Sequence, residues 1–162
     1  MNASLTSGIE ERAAILRQPQ DLPIVSLPDG TAIQLAQVDL AAGVWVVRSY
    51  FPPGTTVQKH RHTGHVYAFT LAGSWYYLET PEQVSTAGSY LYEPAGSVHT
   101  LYVPDTNQGM TDVWFAIHGA NLKLDADGAV EAFSDASTVL EFYVGKCRDE
   151  HGVDPPVVVI GA

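Results

Sequence analysis

From Leu22 to about Leu124 the chain is cut into short apolar segments by Pro, Gly, Asn and Asp. The segments include TAIQLAQVDL, GVWVVRSYF, HVYAFTLAG, SWYYLET, GSYLYEP, VHTLYV and DVWFAIHG. β-Branched and aromatic residues dominate them, and such side chains suit a pleated, half-buried surface. Many short strands closed by turn residues predict an all-β fold, a sandwich or barrel. Helix is expected only at the two ends. A short one is predicted from Glu10 to Arg17, where Ile9, Ala13 and Leu16 share a face, with Pro19 as its stop. A closing helix is predicted from Ser134 to Arg148, with Val139, Leu140, Tyr143, Val144 and Cys147 on one side. Asp135 or Ser134 is its expected cap, and Pro155–Pro156 prevents continuation. Between barrel and helix, LKLDADGAVEAF reads as a hairpin turning at Asp127–Gly128. The Asp-rich turn lacks the further ligands and closing Glu of a calcium loop.

The 162 residues carry no repeat or linker and are read as a single domain, 1–162. A formal net charge of −10 argues against nucleic acid and anionic membrane as partners. One cysteine, Cys147, excludes an internal disulfide and fits a reducing, cytoplasmic setting. The first residues mix acids and bases without an apolar run, unlike a signal peptide, and no segment reaches the ~20 apolar residues of a membrane span.

The stretch KHRHTGHVYAFTLAG holds three histidines, His60, His62 and His65. Alternate side chains of a strand share a face, so His60 and His62 point together and Arg61 points away. Two imidazoles on one face can bind one ion, although a lone His-x-His also occurs on ordinary surface strands. The surroundings add to it. Gly54, five residues, His60-Arg61-His62, ten residues and Gly73 make one frame. Gly88, five residues, Pro94, one residue, Gly96, two residues and His99 make another.

These frames resemble the paired motifs of the cupin superfamily, over about residues 54–103. The resemblance implies a jelly-roll β-barrel holding a metal on His60, His62 and His99. Two positions depart from the pattern. The glutamate of the first motif falls at Val66 or Tyr67, and the asparagine of the second at Val103. Three-histidine sites occur in acetylacetone-cleaving and 2,4'-dihydroxyacetophenone dioxygenases, and the stretches HRHTGHVYAFTLAGSWYYLE and EPAGSVHTLYV look most like the latter group. That resemblance implies a non-haem Fe(II) dioxygenase. It would cleave a C–C bond of a small aryl hydroxyketone or diketone held as its enolate, giving carboxylic acids. Zinc or nickel can replace iron in such a site, because imidazole accepts all three. Three neutral ligands would leave the ion's double charge uncompensated and favour an anionic, bidentate substrate.

Two further residues are candidates for the chemistry. Glu93, beside Pro94, either orients a ligand imidazole or accepts the enol proton, with a solvated strand-end acid as the bland reading. Tyr67 stands near the lost glutamate's place and either contacts substrate or fills the barrel. Glu79 is a weaker candidate for an outer ligand. Arg48, inside VWVVRSYF, pairs with a substrate anion if it faces inward and is unremarkable if it faces outward. Trp75, Tyr77, Trp114 and Phe115 are expected in the core, some beside an aromatic substrate. His65 is out of phase with the ligand pair, and His118 and His151 lie outside the motifs. Cys147 is expected to pack.

Two rivals stand beside the oxygenase reading. One is a metal-binding regulatory module resembling the cupin domain of zinc anti-sigma factors, which ordinarily keeps the glutamate and is fused to another domain. The other is a sugar-type isomerase, which would need more inward charge than VHTLYV and WYYLE offer. Small-molecule substrate and dioxygen are the expected partners, with assembly into a homodimer or homotetramer through apolar edge strands.

Overall fold

The structure, a computed structural model, describes residues 13–162. Among the described residues fourteen strands form three sheets. The largest has the order β1-β2-β3-β11-β5-β8, with β14 also on β2. Its strands are β1 (Val25–Ser26), β2 (Ala32–Asp39), β3 (Val44–Phe51), β5 (Val66–Ala72), β8 (Tyr90–Glu93), β11 (Thr111–His118) and β14 (Val158–Ile160). A four-stranded sheet has the order β13-β12-β4-β9, from β4 (His60–His62), β9 (Val98–His99), β12 (Asn121–Leu124) and β13 (Val130–Ser134). A three-stranded sheet joins β10 (Leu101–Tyr102), β6 (Ser74–Tyr77) and β7 (Ser85–Thr86). Every apolar segment singled out in the sequence becomes strand, and VHTLYV is split between β9 and β10.

Strict alternation sets the inner face. β3 and β11 bury every second residue, and both strands lie in the middle of the large sheet. Trp45, Val47 and Phe51 of β3 and Val113, Phe115 and Ile117 of β11 are buried, while Arg48 and Trp114 face outward between them. Arg48 forms a fork-shaped pair with Asp112 at 2.8 and 2.7 Å and lies over the rings of Tyr50 and Trp114. It is therefore an outer-face residue, and a planar guanidinium matched to a carboxylate explains its place there.

Among the described residues the α-helix, α1, spans Ala136–His151. Asp135 caps it, its carboxylate accepting from the Thr138 N–H at 2.8 Å, and Gly152 ends it in the left-handed region at φ 67°. Ala136, Val139, Tyr143 and Cys147 form its buried stripe, and the Tyr143 hydroxyl donates to the Pro23 carbonyl. The Asp127–Gly128 hairpin is present between β12 and β13.

Two expectations change. Ala13–Arg17, the described part of the expected N-terminal helix, is irregular and leads into a 3-10 turn at Pro19–Asp21; Glu10–Arg12 lie outside the described residues. Ile15 and Leu16 are exposed, so the described part of this segment buries no apolar face to support a helix, and short helices need one. The residues after Pro155–Pro156 are not only a break. They return as β14, parallel to β2. Among the described residues no helix is long and apolar enough to cross a membrane.

Candidate metal centre

The centre lies where the three sheets meet. β4 puts His60 and His62 on one face, with Arg61 exposed between them. β9 pairs with β4 so that His99 stands opposite His60. The turn Pro94–Ser97 sets that register. Gly96 adopts φ 84°, a conformation open to glycine, and its N–H donates to the His62 carbonyl at 2.8 Å. The three imidazoles are buried, and their ligand atoms lie within 4.8 Å of one another. His60 is fixed by a 2.8 Å contact between Nδ1 and the Gln58 carbonyl, which leaves Nε2 free to bind.

Glu93 enters from the large sheet. It ends β8, is 3% exposed, and sits directly across from Val66 of β5. Val66 is one of the two positions where the first motif would carry its glutamate, so the neighbouring strand supplies a carboxylate to the same place. Glu93 Oε2 lies 3.1 Å from His99 Nε2 and 3.3 Å from His62 Nε2. Those contacts are close, yet Glu93 Oε2 and His99 Nε2 have no aligned hydrogen bond. Three ring nitrogens within 4.8 Å of one another, with orphaned buried atoms among them, fit a divalent ion held by His60, His62 and His99. Glu93 places a negative charge against that set.

Tyr77 completes the centre from the three-stranded sheet. Its hydroxyl donates to Glu93 Oε1, and its ring stacks on His99 with centroids 3.9 Å apart. Burial and the Glu93 charge push the Tyr77 phenol well above its ordinary value, so it remains a donor. Burial alone would raise the Glu93 carboxyl, but His99, His62 and the Tyr77 hydroxyl outweigh it and hold the group below the usual carboxylate range. Burial lowers His60 and takes His62 down to about 4, against the opposing pull of Glu93 on both. Both are neutral at neutral pH, the form that binds metal. Glu79, outside the cluster, grips the strand that carries His99: its carboxylate accepts from the Thr100 N–H at 2.8 Å and hydroxyl at 3.0 Å.

A cavity of about 620 Å³ opens onto His60, His62 and Glu93. Its walls include Val47, Phe51, Leu101, Phe115, Ile117 and Phe142 of α1, with Asn121 and Lys123 across from His62 and His60. Tyr67 is not brought to this cavity. It lies on the opposite face of β5 from buried Val66, among His65, Tyr92 and His118, because neighbouring strand residues alternate. The same alternation puts His65 outside, stacked on His118 at 3.9 Å. His151 meets the Ile24 carbonyl at the far end of α1. The sequence offered little to single out Tyr77. Its position in WYYLE reads as core, and only the pairing of β6 with β10 reveals its neighbours.

The profile of the ChrR cupin-like domain matches residues 12–120, a span that includes His60, His62, Glu93 and His99. The chain belongs to the ChrR cupin-like family. A cupin-like protein of unknown function from Ralstonia eutropha JMP134 is 34% identical, with 91% of this chain and 97% of that one covered at a TM-score of 0.80. An acetylacetone dioxygenase from Acinetobacter johnsonii is 18% identical, covering 83% and 93% at a TM-score of 0.72. The structure of Rhodobacter sphaeroides SigE in complex with the anti-sigma ChrR matches at 13% identity, covering 72% and 67% at a TM-score of 0.52. At these identities the last two establish that this ChrR-like cupin shares their fold. No curated protein matches the chain.

Proposed function

We propose that this cupin is an Fe(II)-dependent dioxygenase that cleaves a C–C bond of an enolisable aryl hydroxyketone or β-diketone. The observation that carries the reading is the buried His60–His62–His99 cluster, with Glu93 beside it, at an apolar, aromatic-walled cavity. A structural ion would be closed off by four ligands, whereas this set faces space for a substrate. The acetylacetone dioxygenase among the structural relatives supports the same chemistry.

An iron ion bound there would supply Lewis acidity toward a ketone oxygen and open positions for substrate and dioxygen. The chain's own groups do the rest. Phe51, Phe115, Val47 and Leu101 pack the aryl group and exclude water. Glu93, kept ionised by its neighbours, takes the proton α to the carbonyl on Oε2. Tyr77 holds the carboxylate through Oε1, so the free oxygen keeps its aim. For an aryl hydroxyketone the bond between carbonyl and hydroxymethyl carbons breaks. One oxygen atom of dioxygen enters each fragment, giving an aromatic acid and formate, and the proton taken by Glu93 returns to the products. The exposed rings of Phe69, Tyr90 and Tyr92 on the outer face of β5 and β8 support assembly into a dimer or tetramer.

The test is an oxygen-electrode assay of iron-loaded protein with 2-hydroxyacetophenone and acetylacetone, run beside an anaerobic control. With 2-hydroxyacetophenone, one dioxygen consumed for each benzoate and each formate formed is expected. The family match favours a second reading, a zinc-binding regulatory module without catalysis. Tight zinc binding with no oxygen uptake on either substrate decides for it.

A further inference from the structure

β4 has a neighbour on each side, and both place a polar residue beside His62. On one side β12 pairs Asn121 directly with His62. Opposed residues of antiparallel strands present their side chains to the same face. On the other side the His62 N–H donates to the Ser97 carbonyl at 3.2 Å. Three side-chain atoms here are buried with no hydrogen-bond partner: His62 Nδ1, Asn121 Oδ1 and Ser97 Oγ. Buried polar atoms are nearly always paired, so three orphans on residues that neighbour one another across adjacent strands require an explanation.

Their chemistry is complementary. His62 directs Nε2 at Glu93 and the donor set, so in the neutral ring Nδ1 carries the hydrogen. Asn121 Oδ1 can only accept. A ligand imidazole ordinarily gives its second N–H to a carbonyl or carboxylate, which fixes ring and tautomer. His60 already has that partner in the Gln58 carbonyl, whereas His62 has none.

We propose that Asn121 is the positioning residue for His62: its side-chain carbonyl takes the Nδ1 hydrogen when a divalent ion binds Nε2, and the Ser97 hydroxyl is the supporting partner. The inference rests on the metal reading above. It assigns a task to a residue outside both sequence motifs. Asn121 is also a cavity-lining residue, so the same amide couples the seating of His62 to whatever occupies the cavity. The backbone register that sets Asn121 opposite His62 is already in place.

The experiment titrates the chelator-treated full chain with Zn(II) against a competing chelator, for the wild type and for Asn121→Leu, Asn121→Asp and Ser97→Ala. Wild-type binding tests the metal reading by itself; its failure would overturn both. Given binding, Asn121→Leu should weaken Zn(II) by about 10–100-fold, the usual cost of losing such a partner. Asn121→Asp, which keeps the acceptor, should retain or raise affinity. Ser97→Ala should cost less. Imidazole ¹⁵N spectra of the zinc-loaded protein supply a readout that a packing role would not move: a protected His62 Nδ1–H in wild type and Asn121→Asp, absent or fast-exchanging in Asn121→Leu. Unchanged affinity and an unchanged Nδ1–H signal in folded Asn121→Leu would overturn the proposal.

Discussion

Acid should unfold the metal-free protein through its own ligands. His62 is 3% exposed, and burial lowers it from 6.5 to about 4. In the unfolded chain the imidazole regains an ordinary value of ~6.5. A group depressed on folding contributes stability above its unfolded value and loses it as pH falls toward the folded one. The window is therefore pH 6.5 down to about 4. The shift of about 2.5 units corresponds to roughly 3 kcal/mol at ~1.4 kcal/mol per unit. About 1.4 kcal/mol is lost by pH 5.5 and about three quarters of the total by pH 4.5. His60, lowered by its own burial, adds loss in the same direction. Relief of general charge repulsion acts oppositely, since the chain carries −10 at pH 7 and acid reduces that repulsion. A loss of stability across this window thus comes from depressed imidazoles, His62 and His60 together with half-buried His118, and not from general surface charge. The assay is urea unfolding of chelator-treated protein at about pH 7.5, 5.5 and 4.5, followed by the fluorescence of buried Trp45 and Trp75. His62→Asn should flatten the profile by more than half. Equal stabilities at the three pH values, or a His62→Asn variant as acid-sensitive as the wild type, would refute the reasoning.

Two further outcomes follow from specific contacts. Glu93→Gln keeps the shape but removes the one carboxylate facing the histidines; zinc affinity should fall about 10–100-fold in chelator competition, with the unfolding temperature of the metal-free protein changing far less. Gly64→Ala would place a Cβ 2.3 Å from the His118 carbonyl oxygen, where β4 runs into β5, and should destabilise the fold by about 1–3 kcal/mol in urea unfolding.

Much of this arrangement is legible before folding, for physical reasons. Strand alternation is local, so the facing of His60 and His62, the burial of β3 and β11 and the exposure of Arg61 follow from residue order alone. Turn chemistry is local too: Asp127–Gly128 and the Pro94–Gly96 turn appear where their residues stand. The helix cap at Asp135 belongs to the same class. What stayed hidden depends on register between distant segments. Whether Glu93 meets the histidines is decided by its pairing with Val66, and the role of Tyr77 by β6 lying beside β10. Tyr67 looked equivalent to Val66 at one residue's ambiguity in the motif gap, and one residue on a strand is the difference between inside and outside. The expected N-terminal helix fails in its described part because periodicity predicts an apolar face but cannot provide anything for it to cover.

The sheet of origin of each donor has a mechanical meaning. The imidazoles hang from one layer of the barrel, Glu93 from a second, and the phenol that steadies it from a third. An ion seated among them would rivet layers already joined by the Tyr77–Glu93 and Trp75–Thr70 hydrogen bonds. Loading would then be felt as stiffness far from the ligands, and the ease with which the layers part would set how readily cargo enters and leaves.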